Sequence, residues 1–325
     1  MLQYLIILLD DTSTSFCHYN TTKNERRLIS LDTLKQGIRF GMMENLMIQY
    51  IYPDYPLPKE YAEVMESIDH SKIKSLTPSP SPKGEGSMED EESLDADVIV
   101  LNGFREFEAV EVPIVLRIGK DELFEGKDKV VSLLDKTPRL NIVITDLEAF
   151  KEADCTLYKA FLTDVAKTIE QMYVDGKTPQ FNVLTDRMML SQMNNCGAGE
   201  TNITLAPNGK FYVCPAFYYE DEADCIGDLE HGLDIKNKQL YRLDHAPICS
   251  HCDAWQCKRC IWLNRKTTLE VNTPSHEQCV MAHIERNASR ELLINIRKHG
   301  TFLPEQEEIK EIDYLDPFDN RDEWQ

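Results

Sequence analysis

The sequence is short of three things, and each shortage excludes something. Basic residues number 35 against 56 acidic ones, a formal net charge of −21, so a polyanion such as DNA or RNA would be repelled over most of the surface. Nucleic acid is not an expected partner. Long apolar runs are also lacking: the N-terminal one, Tyr4 to Leu9, is followed at once by Asp10 and Asp11, and is too short for a signal peptide or a membrane span. The expected location is the cytoplasm, away from the membrane. Finally, residues 1 to 195 contain only Cys17 and Cys155, while residues 196 to 279 contain the other eight of ten cysteines. A reducing compartment disfavours disulfides, so a group of thiols this dense points to metal.

At 325 residues the chain can form one large domain or two smaller ones, each burying its own core. Its first half alternates short apolar runs with amphipathic stretches. Tyr4 to Leu9 reads as a buried strand, Asp32 as the cap of a helix through Met43, and Met47 to Ile51 as the next strand, which makes a βαβ unit. Asp97 to Leu101, Pro113 to Ile118 and Leu140 to Ile144 are also strand-like, with a helical stretch from Asp128 to Leu134. An α/β fold with a largely parallel sheet follows. Leu157, Phe161, Val165, Ile169 and Met172 recur at helical spacing and read as a core-facing stripe. From Ser75 to Ser93 a Pro-Ser repeat and an acidic run offer almost nothing to bury and read as a disordered insertion. The acidic segment from Pro304 to Gln325 carries Tyr314, Leu315, Phe318 and Trp324, which suggest docking.

The cysteines have an order of their own. Thr201 to Leu205 and Lys210 to Val213 flank an Asn208-Gly209 turn, a hairpin that brings Cys196 and Cys214 towards each other. Cys249 and Cys252 form a C-x2-C pair, and Cys257 and Cys260 form another four residues on. Cys279 falls in the first turn of a helix opened by a Ser275 to Gln278 capping box. A C-x2-C turn aims two thiolates at one metal while its backbone NH groups stabilise the sulfurs. Zinc could take Cys249, Cys252, Cys257 and Cys260 as a tetrahedron. The short gap between the pairs is tight for one small ion, however, and that choice leaves Cys196, Cys214 and Cys279 idle. Two centres use all seven.

This order, Cys196-x12-Gly209-x4-Cys214, then C-x2-C-x4-C-x2-C, then Cys279, resembles the SPASM domain of radical SAM peptide-modifying enzymes. Both inner spacings are one residue shorter than that family's. The resemblance implies two auxiliary 4Fe-4S clusters, one on Cys249, Cys252, Cys257 and Cys279 and the other on Cys196, Cys214 and Cys260. Cys225 is a candidate extra ligand for the second, which could instead stay open to a substrate thiolate. The resemblance also implies a partial (β/α) barrel-like domain over residues 1 to 190, akin to a degenerate radical SAM core. It is followed by a small α+β SPASM-like domain over residues 191 to 300 and an acidic tail over 301 to 325.

Radical SAM enzymes carry a C-x3-C-x2-C motif after the first barrel strand, and here Asp10 to Tyr19 holds only Cys17. Autonomous cleavage of S-adenosylmethionine is not expected, nor is that cofactor. With runs such as Tyr4 to Ser13 and Ser15 to His18, the whole chain resembles the CXXX repeat peptide maturase family. That implies a cysteine-rich precursor peptide as substrate and a radical SAM enzyme as partner. Cys17 and His18 are adjacent and, on an extended segment, would point to opposite sides, which argues against a catalytic pair. A ligand or substrate-thiol role suits Cys17 better, since open α/β sheets bind ligands at the carboxyl ends of their strands. His251 and His276 neighbour the cysteines and are candidates to tune a metal.

Overall fold

The computed structural model describes residues 1–18, 23, 25–76, 95–106 and 108–312. The strands are β1 (Tyr4–Leu8), β2 (Met47–Ile51), β3 (His70–Leu76), β4 (Val98–Asn102), β5 (Ile114–Ile118), β6 (Arg139–Ile144), β7 (Gln180–Phe181), β8 (Asn202–Leu205) and β9 (Phe211–Tyr212). The helices are α1 (Leu31–Met43), α2 (Lys59–Met65), α3 (Lys120–Glu125), α4 (Lys127–Leu134), α5 (Glu152–Val174), α6 (Asp186–Met189), α7 (Pro215–Glu220), α8 (Ile261–Thr268) and α9 (His276–His299).

These nine strands form one sheet in the order β7-β6-β5-β4-β3-β2-β1-β8-β9, and two short strands, Gly227–Asp228 and Gly232–Leu233, pair antiparallel apart from it. Neighbours are parallel from β7 through β8, and only β9 turns back antiparallel. Each of the first seven strands lies beside its sequence neighbour, as in a (β/α) barrel left open at one edge. Ile6 of β1, Gln49 of β2, Ile73 of β3, Val98 of β4, Val115 of β5 and Asn141 of β6 all line one cavity. Six flat strands about 4.8 Å apart would span about 24 Å, so a shared cavity means that the sheet curls. The mixed α/β class expected from the sequence is the one observed.

Side chains of the opposite face meet helices. Gly37 and Gly41, one turn apart on α1, let that helix lie close on the sheet. A Cβ at Gly37 would overlap Leu205 Cδ2, and one at Gly41 would sit 2.9 Å from Ile48 Cδ1. The β1 residues at this contact, Leu5 and Ile7, are fully buried.

Several expectations shift by a residue or two. The cap of α1 is Ser30, whose Oγ accepts from the Thr33 amide at 3.0 Å, and Asp32 instead accepts from Gln36 Nε2 within the first turn. On α5 the buried face runs through Tyr158, Phe161, Leu162, Val165 and Ile169, whereas Leu157 is 52% exposed. A Leu-Tyr pair satisfies the period on either side, and the packing partner decides. Here the partner is α9, whose Glu285 accepts from the Tyr158 hydroxyl at 2.8 Å.

Ser75 and Leu76 belong to β3, so the insertion read from the sequence begins after them, and its remainder lies outside the described residues. The start of the C-terminal segment folds back on α9. Arg297 Nη2 donates to the carbonyls of Leu303 and Gln306 at 2.8 and 2.9 Å, and Ile309 is buried. The aromatic residues expected to dock lie outside the described residues. No described helix is long and apolar enough to cross a membrane.

Phe161 is 5% exposed and stacked on Tyr158 with 6.2 Å between ring centroids. Phe161→Ala is expected to cost about 3–5 kcal/mol, read as a lowered midpoint of denaturant unfolding.

Candidate metal centre

The Asn208-Gly209 hairpin forms as expected. Gly209 takes φ +77°, its amide bonds the Ala206 carbonyl at 2.9 Å, and β8 and β9 pair Leu205 with Phe211. After β9 the chain reaches Cys214, the N-cap residue of α7. Cys260 holds the same place before α8. The segment carrying Cys196 runs beside the second C-x2-C turn, since the Asn194 amide bonds the Trp255 carbonyl at 2.9 Å and the Cys196 amide bonds the Lys258 carbonyl at 3.2 Å. Both turns aim backbone amides at sulfur: Ala254 N to Cys252 Sγ and Arg259 N to Cys257 Sγ, each at 3.4 Å. Cys279 lies in the first turn of α9, capped by Ser275 Oγ accepting from Gln278 N at 3.3 Å.

A cavity of about 540 Å³ opens on the concave face of the sheet, and Cys17, Cys196, Cys214, Cys257 and Cys260 all line it. All ten cysteines are free thiols. Burial pushes Cys257 up to about 12 and Cys249 up to about 11, and it raises Cys196 and Cys260 as well. Thiols held neutral in this way ionise only against a positive partner. Beyond burial, Cys257 is raised by Cys249 and Cys252, which marks those three as one neighbourhood. Cys279 belongs beside them: four residues along the same face of α9, His283 Nε2 lies 3.6 Å from Cys252 Sγ. Cys225 does not line the cavity. Among the described residues, no three His, Cys, Asp or Glu side chains close on a single-ion position.

Positive charge is concentrated where the thiols are. Arg259, between Cys257 and Cys260, is 3% exposed and adopts φ +45°. Its Nη2 donates to the Tyr241 carbonyl, while its Nε and Nη1 are buried with no hydrogen-bond partner. Its charge lowers the proton affinity of both Cys196 and Cys249, against the larger effect of burial. Orphaned donors of this kind are rare in folded proteins, and here they complement an anionic group among the thiols. Asp253, in the loop between the two C-x2-C turns, accepts from Arg286 Nη2 at 2.7 Å, and its carbonyl accepts from Arg187 Nε at 2.6 Å. Arg286 is fully buried, so this bridge pins the loop to α9.

Two residues of the site, Glu285 and His283, went unread in the sequence. Glu285 lines the cavity, accepting from Tyr158 Oη at 2.8 Å and from Gln256 Nε2 at 3.3 Å. Burial outweighs those bonds and raises its carboxyl from the ordinary 4.5 to about 7. Its signal was present, because Gln278, Met281, Ala282 and Glu285 share helical spacing and all line the cavity. His283 is buried beside Cys252, whereas the expected histidines, His251 and His276, are exposed. His18 does not point away from Cys17 as the extended reading had it. Both line the cavity, with His18 Nδ1 3.3 Å from the Ile144 carbonyl.

No family model and no curated protein matches the sequence. Among solved structures the chain is similar to hexahistidine-tagged anSMEcpe with bound AdoMet, at a TM-score of 0.61 and 13% identity over 93% of this chain and 96% of that one. It is similar also to native anSMEcpe with bound AdoMet and Cp18Cys peptide, at 0.59 and 12% over 92% and 99%. The likeness is one of fold, and it extends over both the parallel sheet and the cysteine-rich half.

Two outcomes are expected of this site. Arg286→Leu removes charged hydrogen bonds from a half-exposed Asp253 and should cost about 2 kcal/mol, measured by denaturant unfolding. Glu285 binds its proton more tightly when folded, so stability should fall as pH rises from 4.5 through 7, by on the order of 3 kcal/mol in total. Glu285→Gln should flatten that profile, and an unchanged slope would show that Glu285 does not set it.

Proposed function

We propose that the chain is a cytoplasmic maturation protein for a ribosomally made, cysteine-rich peptide of the CXXX repeat type. It holds two 4Fe-4S clusters in its SPASM-like half and works beside a true radical SAM enzyme. The observation that carries this reading is the gathering of Cys196, Cys214, Cys257 and Cys260 at a cavity on the concave face of a parallel sheet. The similar fold of anSMEcpe has been seen with both AdoMet and a peptide bound, which supports a peptide as the occupant.

The donor set fits iron and sulfide. Cys249, Cys252, Cys257 and Cys279 would hold one cluster, and Cys196, Cys214 and Cys260 the other. Cys196, Cys214, Cys257 and Cys260 line a cavity whose wall also carries Arg259 and Lys258, cations that suit the negative charge of a thiolate-ligated cluster. When bound, the clusters supply one-electron transfer at a potential tuned by nearby charge and hydrogen bonds.

The residues of the chain do the rest. The turn amides of Ala254 and Arg259 donate to Cys252 and Cys257 and favour their thiolate forms. Arg259 offsets the accumulated negative charge. The apolar strand residues Ile6, Ile73, Val98 and Val115 keep that wall of the cavity dry, and Glu285 offers a carboxyl that can hold or release a proton near neutral pH. Cleavage of S-adenosylmethionine is left to the partner, because the loop after β1 contains Cys17 alone.

Anaerobic purification should give a brown protein with about eight iron atoms per chain and equal acid-labile sulfide, the content of two 4Fe-4S clusters. Incubation of the reduced protein with S-adenosylmethionine should yield no 5′-deoxyadenosine. A synthetic peptide with a cysteine at every fourth position should bind, and its serine counterpart should not. Colourless protein with stoichiometric zinc and no sulfide would overturn the reading in favour of a zinc-stabilised scaffold.

A further inference from the structure

We propose that Cys17 is the fourth thiolate of the Cys196, Cys214 and Cys260 centre, so that the loop after the first barrel strand closes a cluster carried by the C-terminal half. The inference rests on the iron-sulfur reading above and deepens it.

Three observations converge. Cys17 lines the same cavity as those three cysteines, whereas Cys225 does not. The loop that carries it is tied down from several sides. The Ser13 hydroxyl donates to the Ile51 carbonyl at 3.0 Å, the Tyr219 hydroxyl donates to the Ser13 carbonyl at 2.5 Å, and Arg117 Nε donates to the Cys17 carbonyl at 3.1 Å. Tyr218 adds a bond to Asp11, which also pairs with Arg27 at 2.9 Å. Tyr218 and Tyr219 belong to α7, the helix that Cys214 caps, so one short element fixes both a ligand of the centre and the loop bearing Cys17.

The three partners of Cys17 are also placed together by the backbone. The Cys196 amide bonds the Lys258 carbonyl at 3.2 Å, two residues before Cys260, and Cys214 and Cys260 head α7 and α8, which are joined by Trp262 Nε1 donating to Glu220. Four thiols lining one cavity match in number the donor set of a 4Fe-4S cluster with every iron ligated by protein.

A closed centre of this kind has no iron left for a substrate thiolate. Its role is electron transfer, and the peptide is left to the cavity wall formed by the strands and Glu285.

The test compares anaerobically purified wild-type protein with Cys17→Ala, Cys17→Ser and Cys225→Ala, by iron and sulfide content and by electron paramagnetic resonance. Cys17→Ala should lose up to half of the iron or show a 3Fe-4S signal absent from the wild type, while the cluster on Cys249, Cys252, Cys257 and Cys279 remains as an internal check of folding. Cys225→Ala should match the wild type. Independently of any variant, Cys17 in the intact holoprotein should resist iodoacetamide and become labelled once chelator and oxidant strip the iron, as read by mass spectrometry. Cys155 should label in both states.

Wild-type iron content and spectrum in both Cys17 variants, or equal labelling of Cys17 before and after stripping, would overturn the assignment and leave the iron-sulfur reading standing. Absence of iron and sulfide from the wild type would overturn both.

Discussion

β1 is hydrogen-bonded on one side to β2 and on the other to β8, with Leu5 opposite both Ile48 and Ile203. The N-terminal barrel and the cysteine-rich half therefore share a backbone ladder, in which parallel strands bury their polar groups against one another. The arrangement of the site descends from this pairing. The carboxyl end of β1 releases the loop to Cys17, and the hairpin of β8 and β9 delivers Cys214 to α7 beside it. α1 reinforces the junction by packing Gly37 on Leu205, a residue of β8.

Charge is distributed in opposite senses at the surface and at the site. The chain as a whole carries −21, yet the thiols are neighboured by Arg187, Lys258, Arg259 and Arg286, and Arg259 and Arg286 are almost wholly buried. A buried guanidinium with two unpartnered nitrogens is costly by itself. Under the proposed function it would face thiolates, whose negative charge the low local dielectric otherwise opposes. Asp253 joins this network by accepting from Arg286 and Arg187, so the loop between the two C-x2-C turns is held by charge.

The parts of this structure that could be read from the sequence are those whose cause is local. Strand runs, the Asn208-Gly209 turn and the Ser275 cap each depend on residues within a few positions of one another, and each is found where expected. What could not be read depends on partners far along the chain. Leu157 and Tyr158 are equivalent to a helical period, and the choice between them is made by Glu285 on α9. β3, with its His70, Lys72 and Lys74, has too mixed a pattern to announce a strand and forms because β2 and β4 flank it. The cavity neighbours of Cys196, Cys214 and Cys260 follow the same rule. Cys17, nearly 180 residues before Cys196, lines the cavity through the pairing of β1 with β8, whereas Cys225, close to them in sequence, does not line it.

The shared ladder between β1 and β8 also bears on biosynthesis. A ribosome releases the chain from the N-terminus, and β1 emerges long before β8 exists. Until Asn202 to Leu205 is made, β1 is an edge strand with an open row of amides and carbonyls, a hazard for pairing with other chains. The nascent protein thus has a vulnerable interval that ends only when its cysteine-rich half arrives. Under the proposed function, insertion of iron and sulfide would need thiols from that half and would follow nearly complete translation, by which time the scaffold has sealed its own edge.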